Sequence, residues 1–174
     1  FGIGIAARDI VLSLSGNDLV LGVNGTVDQL TIQGWGYGAD YRIERVEFAD
    51  GAMWDATALQ AHIEAIPIMG TDGDDYLEGD AENNFLKGMA GNDNLWGNAG
   101  NDTLEGGAGN DFLYAGEGND VYLFNLGDGQ DILQDGDSAE GNLDTVRFGA
   151  GIAASDITFS RDGGDLVLDI EGGA

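Results

Sequence analysis

The chain has 174 residues, of which 32 are acidic and 6 basic, giving a formal charge of −26, with 31 glycines, one proline and no cysteine. Such an acidic chain excludes nucleic acid as a partner, because no basic surface is present to displace counterions. The missing cysteines exclude a disulfide framework, no run is apolar enough to span a membrane, and 43% hydrophobic content argues against simple disorder.

Residues 1–69 alternate short apolar runs with turns: "DIVLSL", "DLVLGV", "DQLTIQGW" and "YRIERVEF" read as strands, with "SGND" and "NGTVD" as turns. In "DGAMWDATALQAHIEAI", Asp55 is an N-cap and Leu59, His62, Ile63 and Ile66 fall at helical spacing, so a helix is predicted over 55–66, ended by Pro67 and Gly70. The chain opens in mid-pattern at "FGIGIAARDIVLSL", with no signal peptide, and reads as a piece of a longer protein.

Residues 70–123 then divide into six uninterrupted nonads, from "GTDGDDYLE" to "AGEGNDVYL". Position 8 is always large and apolar: Leu77, Leu86, Leu95, Leu104, Leu113 and Tyr122. Position 6 is Asp75, Asn84, Asp93, Asp102, Asp111 and Asp120, and position 4 is glycine except at Glu82. The pattern continues with inserted residues at Asp131 and Asp144. The tail repeats the beginning, since "FGAGIAASDITFSRDGGDLVLDI" at 148–170 matches 1–23. Three segments follow: a β-rich flank with a capping helix over 1–69, a repeat block over 70–147, and the start of another flank over 148–174.

Physical chemistry explains the period. Positions 7 to 9 make a short strand with position 8 inward, and positions 1 to 6 make a turn that needs glycine's freedom at positive φ. Two nonads complete one coil of a flattened solenoid, and coils stack at roughly 4.8 Å. Turns n and n+2 then place two position-6 carboxylates and several freed carbonyls around one gap. Hard oxygen donors without sulfur or nitrogen suit Ca²⁺ rather than zinc, and a carbonyl-rich cage suits it better than Mg²⁺. Within the nonads, twelve acidic side chains face the single Lys87, so folding and calcium binding are expected to be one event.

These nonads resemble the repeat GGxGxDxUx of the RTX (repeats-in-toxin) proteins, which "GGAGNDFLY" matches at every specified position. The flanks resemble haemolysin-type calcium-binding related segments. The resemblance implies an all-β fold, a parallel β-roll with β-rich flanks and one capping helix. It also implies export through type I secretion machinery and calcium-induced folding of a monomer at an extracellular or cell-surface location. By the family pattern, one turn of each pair gives the carbonyls of positions 1 and 3, the other those of positions 2 and 4, and both give the position-6 carboxylate. Nonads three and five then supply Gly88, Ala90 and Asp93 with Gly107, Gly109 and Asp111. Nonads four and six supply Gly97, Ala99 and Asp102 with Gly116, Gly118 and Asp120, and nonads one and three supply Gly70, Asp72 and Asp75 with Met89, Gly91 and Asp93. Asp128, Asp131 and Asp144 are candidates for further sites, whereas Asp80, Glu82 and Asn84 depart from the pattern and weaken the second nonad.

Other readings carry less. Odd nonads turn Tyr76, Trp96, Phe112 and Tyr114 outward, which suits either a covered face or a glycan-binding platform, and an adhesin-like glycan- or ice-binding solenoid is the alternative function. His62 reads as a packed or partly exposed structural histidine on the helix, and Trp35, Phe48 and Trp54 belong to the flank core. "DGDDYLEGDAE" is no EF-hand, because the twelfth residue from Asp72 is Asn83 rather than glutamate. No pocket motif marks an enzyme.

Overall fold

The computed structural model describes residues 4–15, 18–35, 42–64, 66–136 and 141–170. The turn expected at residues 16–17, Tyr41 at the head of a predicted strand, Ala65 in the predicted helix and residues 137–140 of the irregular stretch lie outside these. The chain divides into two compact units, Phe1–Ile66 and Pro67–Ala174.

In the first unit, β1 (Ile10–Ser15), β2 (Asp18–Val23) and β3 (Gln29–Ile32) form an antiparallel sheet, with Leu12 opposite Leu21 and Leu19 opposite Ile32. The alternation in β2 places Leu19 and Leu21 on one face, and both are fully buried. A short hairpin of β4 (Arg45–Glu47) and β5 (Met53–Asp55) leads into helix α1 (Ala56–Glu64). Asp55 caps it as expected, its Oδ1 accepting the Ala58 N–H at 2.9 Å. The described helix runs to Glu64 and Ile66 lies outside it, and Leu59 and Ile63, one turn apart, join Leu19, Leu21, Trp35, Val46 and Phe48 in a single core. His62 is exposed on the helix, with its ring against Trp54 at 4.5 Å between centroids.

The second unit is a parallel solenoid. One sheet holds β6 (Ile68–Met69), β8 (Phe85–Ala90), β10 (Thr103–Ala108), β12 (Val121–Phe124) and β14 (Thr145–Phe148). The other holds β7 (Tyr76–Glu78), β9 (Asn94–Ala99), β11 (Phe112–Glu117) and β13 (Ile132–Gln134). Even and odd nonads thus feed opposite sheets. The register steps by one coil, with Leu86 beside Leu104 and Tyr122 in one sheet, and Leu77 beside Leu95 and Leu113 in the other. These position-8 side chains fill the interior, none more than 9% exposed. Tyr122 replaces leucine there because its hydroxyl finds partners, accepting the Ala115 N–H and donating to the Gln134 carbonyl.

The predicted turn over positions 1 to 6 is too long. In β8 to β11 the strands span six residues, from position 7 through position 3 of the next nonad, so the turn shrinks to positions 4 to 6. Backbone pairing continues past the glycine at position 1, Met89 lying beside Gly107 and Ala90 beside Ala108, and this gives up fewer backbone hydrogen bonds than a six-residue turn. From the second coil onward, position 4 must be glycine for a second reason besides conformation. At Gly109 (φ 154°) and Gly118 (φ 149°) a β-carbon would overlap the carbonyl oxygen of Gly91 or Gly100 in the coil before.

After β14 the chain forms a two-stranded hairpin, β15 (Ile157–Asp162) and β16 (Asp165–Ile170). It reproduces β1 and β2 residue for residue. The 3₁₀ turn Ala154–Asp156 corresponds to Ala7–Asp9, and the Asp156 carboxylate accepts the Ala153 N–H as Asp9 accepts that of Ala6.

Candidate metal centre

The aspartates at position 6 form two ladders, one along each edge of the roll. Each reaches back one coil with one oxygen: Asp93 Oδ1 accepts the Asp75 N–H, Asp111 Oδ1 the Asp93 N–H, and Asp131 Oδ1 the Asp111 N–H, at 2.8, 2.8 and 3.1 Å. On the opposite edge Asp102 serves Asn84, Asp120 serves Asp102 and Asp144 serves Asp120, at 2.8, 2.7 and 2.9 Å. The irregular turns therefore keep the ladder, their inserted residues being accommodated elsewhere.

The second oxygen behaves differently. The Oδ2 atoms of Asp93, Asp102, Asp111 and Asp131 are buried with no hydrogen-bond partner. A desolvated carboxylate oxygen with nothing to accept is costly, and a cation is the partner that removes the cost. The Oδ2 of Asp93 lies beside Gly88 of its own turn, where the Gly106 carbonyl of the next coil also arrives. Asp102 stands in the same way beside Gly97 and the Ala115 carbonyl. Carboxylate and carbonyl oxygens thus converge between coils, and among the described residues no cluster of three or more acidic, histidine or cysteine side chains forms. The donor set fits a hard cation that accepts carbonyl ligands.

The first coil differs. Asp75 Oδ2 accepts the Thr71 N–H at 2.6 Å and its hydroxyl at 2.8 Å, and Asn84 Oδ1 accepts the Asp80 N–H at 2.7 Å. The cause lies at position 2. Met89, Asn98, Gly107 and Gly116 have φ of 88°, 78°, 97° and 102°, whereas Thr71 and Asp80 have no positive φ. Positive φ marks a peptide turned over between positions 1 and 2, which withdraws the N–H and presents a carbonyl in its place. Met89 adopts a conformation that costs a non-glycine residue on the order of 1–3 kcal/mol, and so belongs to the coils equipped in this way.

Of the other predicted site residues, Gly70 pairs its N–H with the Lys87 carbonyl, and Asp72 lies exposed in the first turn. Gly91, Gly109 and Gly118 stand in the stacked turns, Ala90 and Ala99 at the ends of β8 and β9. Asp128 is buried and accepts the Asn125 N–H at 2.6 Å, while its own carbonyl accepts that of Gly109.

Sequence reasoning missed position 5. Asn92 Oδ1 accepts the Asn110 N–H and Asn110 Oδ1 that of Gln130, while Asn83, Asn101 and Asn119 run the same ladder on the other edge to the Leu143 N–H. The signal was present in the repeated "GND", whose asparagine is as regular as its aspartate. On the outward faces, Trp96 and Tyr114 sit on adjacent coils with rings 4.9 Å apart, both half-buried, and Lys87 pairs with Glu105 at 3.0 Å.

The family model described as RTX calcium-binding nonapeptide repeat matches residues 69–104 and 96–133. Residues 69–133 are RTX calcium-binding repeats. Residues 18–58 match the haemolysin-type calcium binding protein related domain. Among solved structures, the chain is similar to the AlgE6R3 subunit from the Azotobacter vinelandii mannuronan C5-epimerase, at 32% identity and a TM-score of 0.42, over 59% of this chain and 65% of that one. The chain therefore spans under two thirds of that structure's length. No curated protein matches.

Electrostatics accords with a metal site in the RTX block. Burial raises the carboxyls of Asp93, Asp111 and Asp128, and lifts Asp102 to about 7 and Asp131 to about 6; the backbone N–H bonds oppose this and neighbouring carboxylates add to it. In the calcium-free fold these groups hold protons that the unfolded chain, at the ordinary value of 3.8, has released. Stability of the calcium-free fold should therefore rise as pH falls from about 7 towards 3.8, and calcium affinity should fall over the same window, since protons and calcium compete. Circular dichroism of the chelated chain against pH, beside calcium titrations at two pH values, checks both signs.

Proposed function

We propose that this chain is a calcium-triggered folding module of an exported protein, held unfolded during passage through type I secretion machinery and folded as a monomer outside the cell. The observation that carries the reading is the set of buried, partnerless Oδ2 atoms at Asp93, Asp102 and Asp111. Calcium, when bound, supplies the positive charge and oxygen coordination these carboxylates lack. The best-supported ligand sets are Gly88, Ala90 and Asp93 with Gly107, Gly109 and Asp111, and Gly97, Ala99 and Asp102 with Gly116, Gly118 and Asp120. The pairing of nonads one and three is weaker, because Thr71 already occupies Asp75.

The reading gives the chain no catalytic step. An acidic, calcium-free coil is easily threaded, and a turn that folds around calcium beyond the exit cannot slip back. With the chain carried by a type I export substrate, millimolar external calcium should speed appearance of the product outside relative to external chelator. An export rate indifferent to external calcium would remove the secretory role while leaving calcium-driven folding to be judged on its own.

A further inference from the structure

The hairpin of β15 and β16 copies the backbone of β1 and β2 but not their surroundings. Leu19 and Leu21 of β2 are fully buried, whereas their counterparts Leu166 and Leu168 are 63% and 37% exposed. Leu12 is half-buried, whereas its counterpart Phe159 is 67% exposed. The edges differ too. Beyond its hairpin partner, β2 pairs with β3, while β16 pairs with β15 alone in a two-stranded sheet.

The first copy shows what chemistry such a face accepts. Its β2 edge receives the strand Gln29–Ile32, and its apolar face receives Trp35, Val46, Phe48, Leu59 and Ile63. All of these come from the segment that follows directly, residues 24–66. An isolated two-stranded hairpin is at best marginally stable in water, and an unpaired strand edge is a template for one more strand. The second hairpin keeps the residues that make this face although nothing described covers them.

We propose that the face of β15 and β16 bearing Phe159, Leu166 and Leu168 is a docking surface for a strand-and-helix segment of the chemistry of residues 24–66, following the hairpin on the same polypeptide. A strand equivalent to Gln29–Ile32 adds antiparallel to β16, its apolar residues meeting Leu166 and Leu168 as Ile32 and Leu30 meet Leu19 and Leu21. A helix equivalent to Ala56–Glu64 then closes the face. The proposal is independent of the calcium reading, since none of these residues belongs to a metal-binding turn.

The test appends a second copy of residues 24–66 after Ile170 of the full chain, in calcium, and reads amide hydrogen exchange at Leu166, Val167 and Leu168. The expected result is exchange slowed by about 100-fold or more, the mark of a hairpin joined to a cooperative core. A control extension carries polar residues in place of the leucine and isoleucine of the appended strand and helix, and should leave exchange as fast as in the unextended chain. Equal protection by both extensions, or by neither, overturns the proposal. So does protection in the unextended chain that grows with protein concentration, because the occupant is then a second copy of the chain.

Discussion

Removing calcium from the folded chain should abolish the roll over residues 70–123 and leave an expanded coil, and restoring it should bring the roll back. Six inward leucine or tyrosine side chains form a core one residue wide, too little to offset the ordering of fifty-four residues and the repulsion among twelve acidic groups. Each site held at 1,000 times its dissociation constant contributes about 4.1 kcal/mol to the folded state. Far-UV circular dichroism with small-angle scattering, before and after exhaustive chelation, checks the result. A chain that keeps its dimensions and its sheet signal without calcium would show that the ladders alone suffice.

Replacing Asp111 with alanine should raise the calcium concentration needed for folding far more than the same change at Asp144. Asp111 does two things at once: its Oδ1 accepts the Asp93 N–H and its Oδ2 is buried without a partner. The substitution strips a buried N–H of its acceptor, at about 1–3 kcal/mol, which alone corresponds to roughly 5- to 150-fold in a binding constant. The lost calcium ligand adds to this. Asp144 serves a terminal coil and is only half-buried, so less depends on it. Asp111→Asn separates the two roles, because the amide oxygen preserves the ladder while the charge is gone. Calorimetric titration should place Asp111→Asn between the parent chain and Asp111→Ala. An asparagine variant indistinguishable from the parent would mean that Asp111 is a ladder residue and no ligand.

The period of nine made the inside of the roll legible, because an invariant large residue at position 8 and an aspartate at position 6 admit few arrangements. The flank strands and the Asp55 cap were legible for similar local reasons, alternation in one case and a side-chain acceptor in the other. Strand length was not legible. Glycine at position 1 reads as a turn signal, yet Gly88, Gly97 and Gly106 sit within ladders that continue to position 3. The special standing of the first coil was half legible: Asp80, Glu82 and Asn84 marked its second nonad, whereas that of the first nonad depends on Thr71 leaving its N–H facing the Asp75 carboxylate. Residue type carries part of that difference, because β-branched Thr71 resists positive φ and gives its hydroxyl to Asp75, whereas unbranched Met89 turns its peptide over.

The backward reach of each position-6 carboxylate gives the solenoid a polarity. A coil receives the acceptor for its position-6 amide from the coil made after it, and the acceptor for its position-5 amide from the coil before it. Trimming from either end therefore strands donors on whatever remains, position-6 amides at a cut carboxyl end and position-5 amides at a cut amino end. The two opposed ladders brace each inner coil from both sides, and they tie in the last turns although these are the least regular in sequence.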